Sequence, residues 1–306
     1  MFKILLATTL LLISFLPNTE NKTILEDNIK QQIGRTPRIT DEKTYTQPVI
    51  TTERSESFQP LLTSATAAYF LDIKSGEVLL KKNAEKRLPM ASITKLMTAL
   101  IVMEKLDMND VLTVPRTSTR LGDSTAGLVY GDRLTTFNLL QGLLINSGSD
   151  AALMLAKNIS GSEAEFVALM NERATILGLS DTQFTNPVGW DDNGHYSNAH
   201  DLAILTSVAL RNPTINEIVQ KKTAKVVSTA GRTYSLTNTN LLLNDYYLGA
   251  KTGTTYDAGQ CLASYYKNGD QEIIGVVLNS PDRFSETRQV IEWINNNYIF
   301  LPKGER

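Results

Sequence analysis

Pro89-Met90-Ala91-Ser92-Ile93-Thr94-Lys95-Leu96-Met97-Thr98-Ala99-Leu100-Ile101 decides how this chain is read. Pro89 introduces a helix from about Ala91, and Ile93, Leu96, Met97, Leu100 and Ile101 recur at helical spacing. Such a helix is buried along a stripe, at the centre of its domain. Ser92 and Lys95 are three residues apart in its first turn, so hydroxyl and amine share one face. Free N–H groups and the macrodipole favour negative charge at that end. A lysine held neutral there can take the serine's proton and turn a weak hydroxyl into a nucleophile. By itself the tetrad is a weak signal, since about one Ser-x-x-Lys per chain of this length arises by chance.

Upstream, Ala67 to Ile73 and Glu77 to Leu80 flank Lys74-Ser75-Gly76 and predict a β-hairpin. Downstream, residues 136–210 are mostly helical in pattern. Thr136 to Ile145 and Asp150 to Ile159 are apolar-periodic and are separated by Asn146-Ser147-Gly148-Ser149. Ser162 to Glu165 is a capping-box start, with Gly178 as a stop. A further helix covers Asn198 to Leu210, closed by Asn212-Pro213. The last third turns to strands: Gly259 to Lys267 and Gln271 to Leu278 form a hairpin around Asn268-Gly269-Asp270, followed by a helix from about Ser285 to Asn295. Strands at both ends with helices between predict an α+β fold, one antiparallel sheet built from both ends with a mostly helical middle subdomain.

The 306 residues carry a net charge of −2, which gives no broad basic face for nucleic acid. The single cysteine, Cys261, excludes an internal disulfide and a cysteine-based zinc site, and its apolar surroundings predict a buried structural thiol. His195 and His200 lack a nearby third ligand, so no metal or other cofactor is expected. Lys3 followed by the apolar run Ile4 to Leu16 has the length of a signal-peptide core and is short for a bilayer span. No small-x-small cleavage site follows, so residues 1–16 are read as a signal peptide or a retained membrane anchor. Residues 17–62 are polar and aperiodic, a flexible linker, and the globular domain runs over 63–306. This organisation predicts an exported protein of the cell envelope, at the outer face of the cytoplasmic membrane or in the periplasm.

Three short motifs occur in order: Ser92-x-x-Lys95, Ser147-Gly148-Ser149 and Lys251-Thr252-Gly253. Around them stand Lys82-Asn83-Ala84, Leu96-Met97-Thr98-Ala99-Leu100, Asn186-Pro187-Val188-Gly189, His195-Tyr196-Ser197, His200-Asp201-Leu202-Ala203 and Lys251-Thr252-Gly253-Thr254 through Ala258-Gly259. Together they resemble the D-alanyl-D-alanine carboxypeptidases, the low-molecular-mass penicillin-binding proteins, over roughly residues 65–295. The resemblance implies the β-lactamase/transpeptidase-like fold and release of the terminal D-alanine from peptidoglycan stem peptides through an acyl-enzyme, with inhibition by β-lactams. It implies Ser92 as nucleophile, Lys95 as its base, and Ser147 as a bridge relaying a proton to the leaving amine. Burial and the nearby Lys251 ammonium would lower the pKa of Lys95. Backbone N–H groups of Ser92 and Thr254 would form the oxyanion hole, each donor worth about 3–4 kcal/mol in the transition state. Lys251, Thr252, Gly253, Thr254 and Arg283 would hold the substrate, Arg283 as a carboxylate ligand.

Ser149 departs from the pattern, because the second motif of the family ends in asparagine. That asparagine steadies the motif's lysine and donates to the substrate's amide carbonyl; serine offers one hydroxyl instead. A serine β-lactamase shares the first and third motifs but needs a glutamate for its deacylating water, and Asp181 to Trp190 contains none. Stable penicilloylation is therefore expected. A D,D-endopeptidase cutting crosslinks uses the same residues, and a catalytically impaired peptidoglycan-binding module is the non-enzymatic alternative. Many relatives carry a further C-terminal β-domain and anchor helix; here any anchoring is expected at the N-terminal side.

Overall fold

The structure, a computed structural model, describes residues 51–55, 60–61, 63–116 and 124–301. The chain divides into two units, Met1–Gln47, which lies outside the described residues, and Pro48–Arg306. Residues 1–16, read as a signal peptide or membrane anchor, and most of the stretch read as linker therefore lie outside them too. Among the described residues, no helix is long and apolar enough to cross a membrane.

The sheet is built from both ends of the domain. Strands β2 (Ala67–Asp72), β3 (Val78–Lys82), β8 (Tyr247–Thr255), β9 (Gly259–Asn268) and β10 (Gln271–Ser280) form one antiparallel sheet in the order β3-β2-β10-β9-β8. Non-local pairing joins its halves, with Leu278 opposite Ala67 and Ile273 opposite Asp72. Side chains alternate between two cores, as the pleat requires. Ala68, Phe70, Leu262, Tyr266, Ile273 and Val277 enter one; Ala67, Tyr69, Cys261, Ala263, Tyr265, Ile274 and Val276 enter the other. Gly275 is needed where Phe70 crosses β10, because a Cβ there would lie 2.3 Å from the ring.

On the first core packs the C-terminal helix α7 (Arg283–Asn297), capped by Asp282, whose carboxylate accepts from the N–H groups of Phe284 and Ser285. The larger core lies between the other sheet face and the helical middle. Its helices are α1 (Lys95–Lys105), α2 (Thr136–Leu144), α3 (Ser149–Ser160), α4 (Glu163–Ile176), α5 (Ala199–Arg211) and α6 (Pro213–Val219). α1 contacts α2, α3, α4 and α5, and all of Lys95 to Val102 is buried, so burial surrounds this stretch and is wider than the predicted stripe. The cap at Ser162 accepts from the Glu165 N–H, and Gly178 takes φ +73° after α4, as the sequence predicts.

The remaining strands are short. β4 (Val111–Thr113) pairs with β5 (Arg133–Thr135), and β6 (Thr223–Val227) with β7 (Thr233–Thr237). β1 (Thr51–Arg54) pairs with β11 (Tyr298–Leu301), Thr51 opposite Leu301. Thus part of the 17–62 stretch read as flexible linker is a strand. A partner almost 250 positions away completes it, and no local period announces such a pairing.

Candidate active site

The expected first helical turn is a tighter one. Ala91–Thr94 forms a 3-10 turn, and α-helix begins only at Lys95. In a 3-10 turn, residues i and i+3 eclipse one another. This brings Lys95 Nζ within 2.7 Å of Ser92 Oγ. Ser92 is half-buried, while its neighbours Ala91 and Ile93 are buried. Lys95 has no exposed surface, and its Nζ also donates to the Val188 carbonyl at 2.7 Å. Thr98 donates to the Pro187 carbonyl at 2.7 Å. The loop 185–190 is shaped for this by Asn186, whose Oδ1 accepts from the N–H groups of Val188, Gly189 and Trp190. Gly189 (φ +92°) presses on the turn so closely that a Cβ would lie 2.0 Å from the Ala91 carbonyl oxygen.

Ser147 sits between α2 and α3 at φ +57°, a left-handed conformation costing a non-glycine residue about 1 kcal/mol or more. The Gly148 N–H closes the turn on the Gly142 carbonyl at 2.9 Å, and Asp150 ties the start of α3 to the 126–128 segment, its carboxylate accepting from the N–H groups of Ala126 (2.8 Å) and Leu128 (2.9 Å). Ser147 Oγ accepts from Lys251 Nζ at 2.9 Å, and the same nitrogen donates to the Thr252 carbonyl at 2.9 Å. Burial, then the neighbouring Lys95 and Arg283 charges, hold the Lys251 ammonium well below the usual lysine range. Ser149 opens α3, fully enclosed, with its N–H donating to the Ser124 carbonyl at 2.8 Å.

β8 is an edge of the five-stranded sheet, and that strand borders the Ala91–Thr94 turn. At Gly253 a Cβ would come within 2.9 Å of Ala91 Cβ and 3.0 Å of the Ser92 nitrogen. The missing side chain lets the strand's backbone lie against Ser92. The Thr252 hydroxyl lies 2.5 Å from that of Thr239, while Thr254 is exposed. Arg283, the first residue of α7, donates through Nη1 to the Gly253 carbonyl (2.8 Å) and the Thr254 hydroxyl (2.5 Å). Asp191 accepts from the Thr255 hydroxyl and the Asp257 N–H, fastening the 187–193 loop to the end of β8.

The three motifs thus converge from the α1 turn, the α2–α3 turn and the β8 edge. Sequence reasoning missed Thr94, Val188, Asp191 and Thr239 as parts of this cradle. Asn186 to Gly189 was the available signal for Val188, but a backbone carbonyl carries no residue signature. His195 and His200 enter separate networks. His195 is buried against Thr94 and Thr185, and His200 lies 3.2 Å from Asp201 and edge-on to Tyr69. Asp181 is held by Arg87 through Nε (2.9 Å) and Nη2 (2.8 Å).

Comparison with known proteins follows the same lines. DacF of Bacillus subtilis (strain 168), a D-alanyl-D-alanine carboxypeptidase, is 34% identical over 252 residues, covering 79% of this chain and 65% of DacF. The D-alanyl-D-alanine carboxypeptidase of Streptomyces sp. (strain K15) is 34% identical over 252 residues, covering 75% of this chain and 87% of that protein. The crystal structure of the Streptomyces K15 DD-transpeptidase superposes with a TM-score of 0.73 at 30% identity, over 78% of this chain and 99% of that one. The chain spans less than two thirds of DacF and 60% of DacC from Escherichia coli (strain K12). The profile described as D-alanyl-D-alanine carboxypeptidase matches residues 53–282, and this chain belongs to that family.

Proposed function

We propose that this protein is a serine D,D-peptidase that releases the terminal D-alanine from peptidoglycan stem peptides through a Ser92 acyl-enzyme, and that β-lactams acylate the same serine. The observation that carries the reading is the pairing of two buried lysines with two serines: Lys95 with Ser92 at 2.7 Å, and Lys251 with Ser147 at 2.9 Å. Once Lys95 gives up a proton, its amine still donates to the Val188 carbonyl and offers a lone pair to the Ser92 proton. Ser92 Oγ attacks the penultimate D-alanine carbonyl as that proton passes to Lys95. The oxyanion forms between the N–H groups of Ser92 and Thr254. The C–N bond then breaks, and Ser147 passes its proton to the departing amine while recovering one from the lysines. Water, attacking along the same path, hydrolyses the ester and regenerates Ser92. Lys251, Thr252, Thr254 and Arg283 supply the positive and hydrogen-bonding surface for the terminal carboxylate, with Gly253 permitting the approach. Position 149 carries a hydroxyl where the family has an amide; the Lys95–Ser92 and Lys251–Ser147 pairs form without that amide, which supports an active enzyme whose rate or substrate choice is altered there.

The 1–16 segment and the linker after it support export and a place in the cell envelope, with membrane attachment if the segment is kept. Intact-mass measurement of the full chain with benzylpenicillin tests the chemistry. One persistent adduct, absent in Ser92→Ala, is expected, followed by D-alanine release from a pentapeptide ending in D-Ala-D-Ala. No adduct on folded protein would sink the reading and favour a stem-peptide-binding module. Cleavage of crosslinked dimers without D-alanine release would make it an endopeptidase.

A further inference from the structure

The Ala91–Ser92 peptide is gripped from behind. Its carbonyl accepts from the Thr94 hydroxyl at 2.7 Å. Thr94 Oγ1 in turn lies 2.7 Å from His195 Nε2. On the far side of the ring, Nδ1 accepts from the Thr185 N–H at 3.1 Å, with the Thr185 hydroxyl 3.4 Å away. A nitrogen accepting from a backbone N–H carries a lone pair, so the proton of the neutral ring is on Nε2. The direction of the whole chain is therefore fixed: Thr185 N–H to Nδ1, Nε2–H to Thr94, Thr94 O–H to Ala91. His195 is 2% exposed, and the Phe184 ring stands edge-on to it at 5.8 Å.

A trans peptide is planar, so the direction of its carbonyl sets that of its N–H. Ala91 is at φ +48°, a conformation that an alanine keeps only when its surroundings impose it. The geometry points to His195 as a positioning residue: through Thr94 it orients the Ala91–Ser92 peptide plane and so aims the Ser92 N–H at the oxyanion. This inference rests on the D,D-peptidase reading, since it assigns that N–H to the oxyanion hole. It gives the buried imidazole a part in transition-state stabilisation without contact with the substrate. Gly189 bounds the same carbonyl from the 185–190 loop, whose Val188 holds Lys95. One loop thus sets both the amine that takes the proton and the donor that meets the developing charge.

The test compares His195→Leu, His195→Gln and Thr94→Val in the full chain. For each, the acylation rate at saturating benzylpenicillin and the dissociation constant of the complex before acylation are measured. So is affinity for a peptide boronic acid, whose tetrahedral serine adduct places an oxygen in the hole. His195→Leu and Thr94→Val are expected to acylate about tenfold to hundredfold more slowly, with the dissociation constant unchanged and boronate affinity reduced in parallel. His195→Gln, whose amide can donate from near the Nε2 position, is expected within about threefold of the original rate. If His195→Leu does not fold, Thr94→Val and His195→Gln carry the comparison. A lowered melting temperature with unchanged acylation and boronate affinity would reduce His195 to packing and overturn the inference. Failure of the unmodified protein to acylate would remove the D,D-peptidase reading first, and this inference with it.

Discussion

Burial governs how single side chains titrate here. His195 is driven down to about 4 by burial, against the pull of Asp192 and Asp191 and in line with the push of Lys95. In the unfolded chain an imidazole titrates near 6.5. Between those values the unfolded chain binds more protons than the fold. Stability is therefore complete above about pH 6.5 and falls as pH drops towards 4, by up to about 3 kcal/mol. Urea unfolding from pH 7 to pH 4 should show this loss, and His195→Gln should show less of it over the same window. An identical pH dependence in both proteins would contradict the assignment. Cys261 follows the same logic: burial pushes its thiol up to about 11, as expected for a structural cysteine. Ser92 and Lys95 were legible in the sequence because their meeting is local. Ser147 and Lys251 lie 104 positions apart, and Thr94 and His195 101 apart. Only the resemblance paired the first two, and nothing in the sequence paired the others.

Among elements, the edge of β8 and the 3-10 turn fit without spare room. Gly253→Ala should therefore push β8 away from Ser92, because the obstacles include the Met90 carbonyl and the Ser92 nitrogen, which are backbone. Acylation by benzylpenicillin is expected to fall about tenfold to hundredfold, with a cooperative unfolding transition retained. Normal acylation would mean that the two backbones can separate without cost to the chemistry. Strong periodicity made α1 to α5 and α7 readable, and two β-prone runs around Gly269 made β9 and β10 so. The 3-10 winding of Ala91–Thr94 was hidden, because an i,i+3 pattern suits both helix types. α6 escaped because it has only seven residues and begins where α5 ends, with Asn212 serving as the cap of α6 through Oδ1 to the N–H groups of Thr214 and Ile215. β7 alternates buried and exposed positions but offers only Tyr234 and Leu236 as its inward pair.

Across the whole molecule, the sheet was anticipated from strands at both ends, since each hairpin needs the other to bury its faces. The register between them came only from the fold, as did the β1–β11 pair. That pair has a topological consequence. With Thr51 beside Leu301, the path of the described chain is nearly a closed ring, and the place where the ring is cut is a matter of gene order. A circular permutant of residues 51–301 that joins Leu301 to Thr51 by a short flexible linker and opens the chain at the exposed Ala230-Gly231 turn should fold to the same structure. It should keep benzylpenicillin acylation within a few-fold, read by the same intact-mass assay. The permutant would move any segment fused at its new N-terminus from the β1–β11 corner to the β6–β7 tip, leaving the order of Ser92, Ser147 and Lys251 around the ring intact.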